Sequence, residues 1–342
     1  MSSEQLYEQS KAYGKWVYIT PVSGVKLTPS VDNEFRINKS LLISKEKLTK
    51  VRKRIGLPKK FSELNKDKWT KEFFDMSDVF CILYDSGKPD EVKTKCRKIA
   101  KEELSILALS QLGYRTRHYG IYPTLFGESY ELNNTEYLFC TSDERRKISS
   151  STQRFSEEII MGKGWVIWQR ENFFSPLLNI IQNKTDISRD WRGRIYNAAK
   201  FIGQGMCSSD ATRSFLWNMI AIETLFNYSN GKFEHEFPKQ AEAFLGWTGF
   251  WSRKNYANKI KELYDKRCKL VHQGICDDIN IDDVLFLDEL IFQLLSNLLR
   301  HPKLFPNQEK VIEFCNKVEA EHLLGLKSKV IPKTFQYMPF HI

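Results

Sequence analysis

Two patterns of apolar residues divide the chain. Up to about residue 142 the apolar positions come in short runs closed by turn residues. "KWVYITPVSG" (15–24), "EFRINKSLLIS" (34–44), "RHYGIYPTLF" (117–126) and "EYLFCTS" (136–142) predict strands. "DVFCILYDSG" (78–87) predicts a buried strand ending in a glycine turn. Two helices interrupt these runs. One is basic and starts after Ser44, "KEKLTKVRKRIG", with Gly56 and Pro58 at its end. The other runs from about Pro89 to Leu112, with Val92, Cys96, Ile99, Leu104 and Leu107 on one side and Gly113 at the stop.

From about residue 189 the period changes to that of helices. "RDWRGRIYNAAKFIGQGM", "SDATRSFLWNMIAIETLFNY", "PKQAEAFLGW", "NYANKIKELYDKRCKLV" and "IDDVLFLDELIFQLLSNLLR" each carry an apolar stripe, with Ser209 placed to cap the second and Asn280 the last. Short connections between amphipathic helices predict a bundle. The expected class is α+β: a strand-rich mixed α/β domain over 1–142 and a helical domain over 188–325. Residues 143–187, whose first part is rich in Ser and charge, are expected to connect them, and 326–342 to form a tail.

Composition narrows the setting. No apolar run approaches the ~20 residues of a membrane span, and the richest one is cut by Asp288 and Glu289. The start of the chain lacks the charged-then-apolar layout of a signal peptide, so a cytoplasmic, soluble protein is expected. Seven scattered cysteines without a C-x-x-C pair read as reduced thiols. The net charge is +10, and residues 1–60 hold 13 Lys/Arg against 5 Asp/Glu. Such an excess attracts polyanions. Lys47, Lys50, Arg52, Lys53 and Arg54 are the candidate RNA-backbone contacts, the alternative being a solvated helix face.

Chemistry concentrates in "KELYDKRCKLVHQG" (261–274). Tyr256, Ile260, Leu263 or Tyr264, Arg267 and Val271 recur at three- and four-residue steps, so Arg267 falls on an apolar stripe where a charge needs a partner. Glu223 interrupts the stripe of Phe215 or Leu216, Met219 and Phe226 in the same way. The two invite pairing, and a bridge that only sets helix register is one reading of it. His272 lies five residues after Arg267, about 140° around a helix, so one helix cannot aim both at one point. Cys268, His272 and Cys276 offer a partial zinc set, short of the four ligands a structural site takes. Phosphate-cradling glycine loops, the G-x-S-x-G elbow and H-E-x-x-H are absent.

The order "RIYNAAKFIGQGM", "SSDATRSFLWNMIAIETLF", "LYDKRCKLVHQG" and a closing helix, over residues 188–300, resembles the HEPN superfamily, in particular its ApeA-like branch of anti-phage defence ribonucleases. The resemblance implies an all-α bundle that dimerises and brings the R-x-x-x-x-H motifs of two protomers into one cleft. It implies a metal-independent endoribonuclease, with no cofactor, acting in phage defence or as a toxin. RNA, transfer RNA among it, is the implied substrate, and a phage-derived trigger the implied activator. By position, Arg267 and His272 match the catalytic pair, while Glu223 and Tyr264 match the supporting residues. Cys268 stands directly after the motif arginine, where many active members have Asn, Asp or His. A catalytically inactive HEPN binding module, or an antitoxin-like partner, is the alternative.

Overall fold

The computed structural model describes residues 16–55, 75–114, 123–125, 134–139, 148–153, 158–208, 210–226, 233–246, 255–275 and 278–337. They divide into two compact units. The first draws on 1–104, 118–162 and 207–209, the second on 105–117, 163–206 and 210–342. The α+β expectation holds, with an antiparallel sheet in the first unit and helices in the second.

In the first unit β1 (Trp16–Ser23), β3 (Glu34–Arg36), β4 (Leu41–Ser44), β5 (Val79–Asp85) and β6 (Thr124–Leu125) form one sheet in the order β3-β4-β5-β1-β6. Its pairings are antiparallel, with Leu41 opposite Ile82 and Ile19 opposite Ile82 on either side of β5. The first five residues of β5 are buried, as expected of a central strand covered on both faces. Alternation sends Phe80 and Ile82 to a cluster with Ile43, with Leu48 of α1 (Lys45–Val51), and with Ile55. Cys81 takes the other face, near Cys96 of α2 (Pro89–Ala108), and burial pushes its thiol up. Glu103 of α2 is fully buried, and its carboxylate accepts three backbone N–H groups, from Asn38, Lys39 and Ser40, which fixes the β3–β4 turn. Ser44 caps α1 by accepting from the Lys47 N–H at 3.2 Å. Gly56 and Pro58 lie outside the described residues. Two smaller sheets complete the strands. β2 (Val25–Leu27) runs parallel to β9 (Ile159–Met161), and β7 (Asn134–Phe139) pairs antiparallel with β8 (Ile148–Gln153).

The described residues of the connecting segment expected over 143–187 form strands and helices. Besides β8 and β9 it holds α3 (Lys163–Glu171) and α4 (Phe174–Ile181), which bury Trp165, Phe174, Leu177 and Ile180. Pro176 sits in the first turn of α4, where its missing N–H costs nothing.

The second unit continues with α5 (Arg189–Met206), α6 (Ala211–Phe226), α7 (Phe233–Leu245), α8 (Tyr256–Gln273), α9 (Ile281–Leu299) and α10 (Gln308–Leu323). Every residue of α9 from Leu287 to Leu299 is buried, so α9 is the core helix, apolar around most of its girth. Its buried Asp288 accepts from Asn218 of α6 at 2.9 Å. The α9 start is a capping box between Asn280 and Asp283, as the sequence predicts at Asn280. For α6 the cap is Asp210, whose carboxylate accepts from the Arg213 N–H at 3.1 Å. Ser209, expected in that role, lies outside the described residues. α5 and α6 approach closely because Gly205 leaves its carbonyl to the Ser214 hydroxyl at 2.9 Å and Phe201 stacks on Trp217. Cys81, Cys96, Cys207, Cys268 and Cys315 are free thiols. No helix among the described residues is long and apolar enough to cross a membrane.

Candidate active site

The stripe of α8 is half realised. Tyr256, Ile260 and Leu263 are buried, but Val271, expected to continue them, is 48% exposed. The buried contacts of α8 therefore stop near its middle, and Arg267 sits where the covered half gives way to the open half.

There Arg267 meets Glu223 of α6. Nη2 donates to Oε2 at 2.9 Å, and Nε lies 2.8 Å from Oε1 as an ion pair without hydrogen-bond alignment. The two side chains keep only 20% and 17% of their surface exposed. Burial pushes the Glu223 carboxyl above the usual carboxylate range, against the pull of the Arg267 guanidinium. Among the described residues Nη1 of Arg267 has no acceptor, so one edge of the fork is left to bind a further oxyanion.

Tyr264, one turn before Cys268, is half-buried beside its thiol. Burial raises the phenol, and Cys268 and Glu223 add to the effect. Tyr264 thus belongs to the same cluster as the ion pair.

His272 is exposed, one residue before the end of α8. Gly274 closes the helix in the left-handed conformation (φ 70°), its N–H bonded to the Leu270 carbonyl at 3.1 Å. The helix is regular through His272, so Arg267 and His272 stay about 140° apart and ~7.5 Å apart along the axis. The chain brings Glu223, Arg267 and Tyr264 together and leaves His272 on the solvent side. Cys276 of the partial zinc set lies outside the described residues. Among the described residues no three His, Cys, Asp or Glu side chains are grouped to hold a metal.

What holds α8 in place was not visible in the motif. Lys259 and Lys266, two turns apart on α8, both reach the carboxylate of Asp283, at 2.9 and 2.8 Å, and Glu262 bridges the two lysines. Burial opposes ionisation of Asp283, but hydrogen bonds from Lys266 and Lys259 outweigh it and hold the carboxyl below the usual range. The i, i+7 lysines with Glu262 between them were the available signal. At the other end, burial raises the Tyr256 phenol, and the Glu242 carboxylate of α7 adds to the effect.

Three of the five candidate RNA-backbone contacts already have partners. Lys47 pairs with Asp32 and Glu34, Lys50 with Glu46, and Arg52 donates to the Thr49 carbonyl at 2.6 Å. Arg54 is exposed, and the side chain of Lys53 lies outside the described set. A phosphate at Lys47 would have to displace two carboxylates.

Comparison of the chain with protein-family models, with curated proteins and with solved structures finds no match.

Proposed function

We propose that the chain is a HEPN-type, metal-independent endoribonuclease of the cytoplasm, acting in phage defence or as a toxin, with its site formed between two protomers. The observation that carries this reading is the Glu223–Arg267 pair at the edge of a helix that ends in an exposed His272. RNA supplies its own nucleophile, the 2′-hydroxyl. His272 takes that proton and returns one to the 5′-oxygen leaving group. Arg267, held by Glu223, presents Nη1 to the phosphate as charge builds on its oxygens. The products are a 2′,3′-cyclic phosphate and a 5′-hydroxyl. The angle between the two groups on α8 calls for a second protomer to bring a histidine to the arginine. The first unit senses the phage-derived trigger or positions RNA, transfer RNA among the candidates.

The test is cleavage of transfer RNA in EDTA by the unaltered chain beside Arg267→Ala and His272→Ala, with end-group analysis. Cutting by the unaltered chain alone, with cyclic-phosphate ends, is expected. Cutting by either variant at the unaltered rate sinks the assignment. The second reading, an inactive HEPN binding module, draws on His272, whose ring no described side chain orients. It requires His272→Ala to keep the full biological effect.

A further inference from the structure

Residues 332–337, expected only as part of a tail, end in a built pocket of the second unit. Asn297 of α9, 1% exposed, accepts the Gln336 N–H at 2.9 Å and donates to the Gln336 carbonyl at 3.1 Å. Its amide also donates to the Phe244 carbonyl at the end of α7. The Phe335 ring enters a box of aromatic rings, with centroids 5.0 Å from His301, 5.6 Å from Phe314 and 6.1 Å from Phe244. Tyr337 lies over Gly246, where a Cβ would meet its ring at 2.6 Å.

One buried amide reading both backbone groups of a residue, flanked by two aromatic anchors, is how proteins hold extended peptides. The side chain of Gln336 takes no part: its Oε1, like the Tyr337 hydroxyl, is buried without a hydrogen-bond partner among the described residues. Burial raises that phenol to about 12. Both groups regain water if the segment leaves.

The approach to the pocket is lightly held. Among the described residues, the hydrogen bonds of 324–334 run only to neighbours within eight positions, such as Lys329 to Glu321 and Ile331 to Ser328. Leu323, Leu324 and Leu326 are 77%, 73% and 58% exposed. Two aromatic anchors and two hydrogen bonds thus stand against the ordering of a dozen backbone residues, which favours local opening well before global unfolding.

We propose that the pocket around Asn297 is a peptide-recognition site for an extended aromatic–x–aromatic segment. Residues 335–337 are its detachable ligand in cis, and a protein segment of the same pattern takes their place in trans. The middle residue is read through its backbone alone. This inference is independent of the ribonuclease reading.

Two measurements test it. Hydrogen exchange on the full chain follows the Gln336 amide beside that of Leu294 in α9. Protection of Gln336 about 100-fold or more below Leu294 is expected, while equal protection would show that the segment leaves only on unfolding and overturns the proposal. The second measures a labelled peptide of residues 328–337 by anisotropy against the full-length Phe335→Ala chain, whose own segment is weakened. Saturable binding is expected, about tenfold or more tighter than to the unaltered chain. A peptide carrying Phe335→Ala, or N-methylated at Gln336, loses about tenfold or more, and one carrying Gln336→Ala keeps its affinity. No saturable binding to a folded Phe335→Ala chain overturns the proposal; if that variant does not fold, the exchange experiment decides alone.

Discussion

The Glu223–Arg267 pair makes an asymmetric prediction about which partner matters more, and when. Breaking a fully buried ion pair from one side costs about 3–5 kcal/mol, and exposed pairs are worth about 0–1 kcal/mol. With 17% and 20% of their side chains exposed, these two fall between. Arg267→Ala strands a desolvated carboxylate and is expected to cost ~2 kcal/mol at neutral pH. Glu223→Ala leaves a guanidinium on a long stem that can swing toward water, and is expected to cost ~1 kcal/mol. The double variant costs less than the sum, with a coupling of ~1–2 kcal/mol. Glu223 already lies above the usual carboxylate range because of burial. A raised carboxyl carries no penalty below its unfolded value of ~4.3, and loses stability as pH rises through its folded value. Without Arg267 that folded value climbs further, so the cost of Arg267→Ala grows between about pH 5 and about pH 8, while that of Glu223→Ala shrinks as pH rises because that variant lacks the penalised carboxyl. Urea unfolding of the four proteins at both pH values reads this directly. Strict additivity, or a pH-independent cost for Arg267→Ala, would refute the reasoning.

The clamp on α8 predicts that Asp283→Asn lowers stability by ~2 kcal/mol at neutral pH, since it strands Lys259 and Lys266 beside a side chain only 1% exposed. Because the Asp283 carboxyl is held below the usual range, this stability is complete above ~3.9 and fades as pH falls through the folded value. The urea midpoints of variant and unaltered chain should therefore converge in acid, and a constant gap would contradict the clamp. A Cβ on Gly203 would lie 1.8 Å from the Ser105 carbonyl oxygen, so Gly203→Ala is expected to cost ~3 kcal/mol by pushing α5 off its neighbour. Gly193, in the same helix with open space around it, should gain up to ~1 kcal/mol as alanine, and equal melting points for the two variants would count against this packing.

Helices with regular stripes were legible residue by residue. Arg189–Met206 falls on the stretch its period predicts, and Asn280 caps α9 as its side chain and the acidic third position require. The α3–α4 pair was not, because the polar run before it and the Ser175–Pro176 dipeptide both look like loop, although proline fits a first helical turn. Val271 sits at the correct angle for burial, but no helix among the described residues covers that end of α8; periodicity states which residues share a face, not what lies opposite. The ion pair was readable because two charges interrupting two apolar stripes have few places to go. The Asp283 clamp joins residues 17 and 24 positions apart across a helix break, and the docking of Phe335 and Tyr337 lies in a short segment outside any helix or strand. Neither leaves a period to detect.

The proposed catalytic pair is drawn from two protomers, because α8 holds Arg267 and His272 about 140° apart. Arg267→Ala and His272→Ala chains, co-expressed with different tags and purified through both, give a dimer with one complete arginine–histidine pair. Each variant alone is expected to be inactive on transfer RNA in EDTA, and the mixed dimer to recover roughly half of the unaltered activity. A mixed dimer as inactive as its parents would contradict a pair drawn from two protomers.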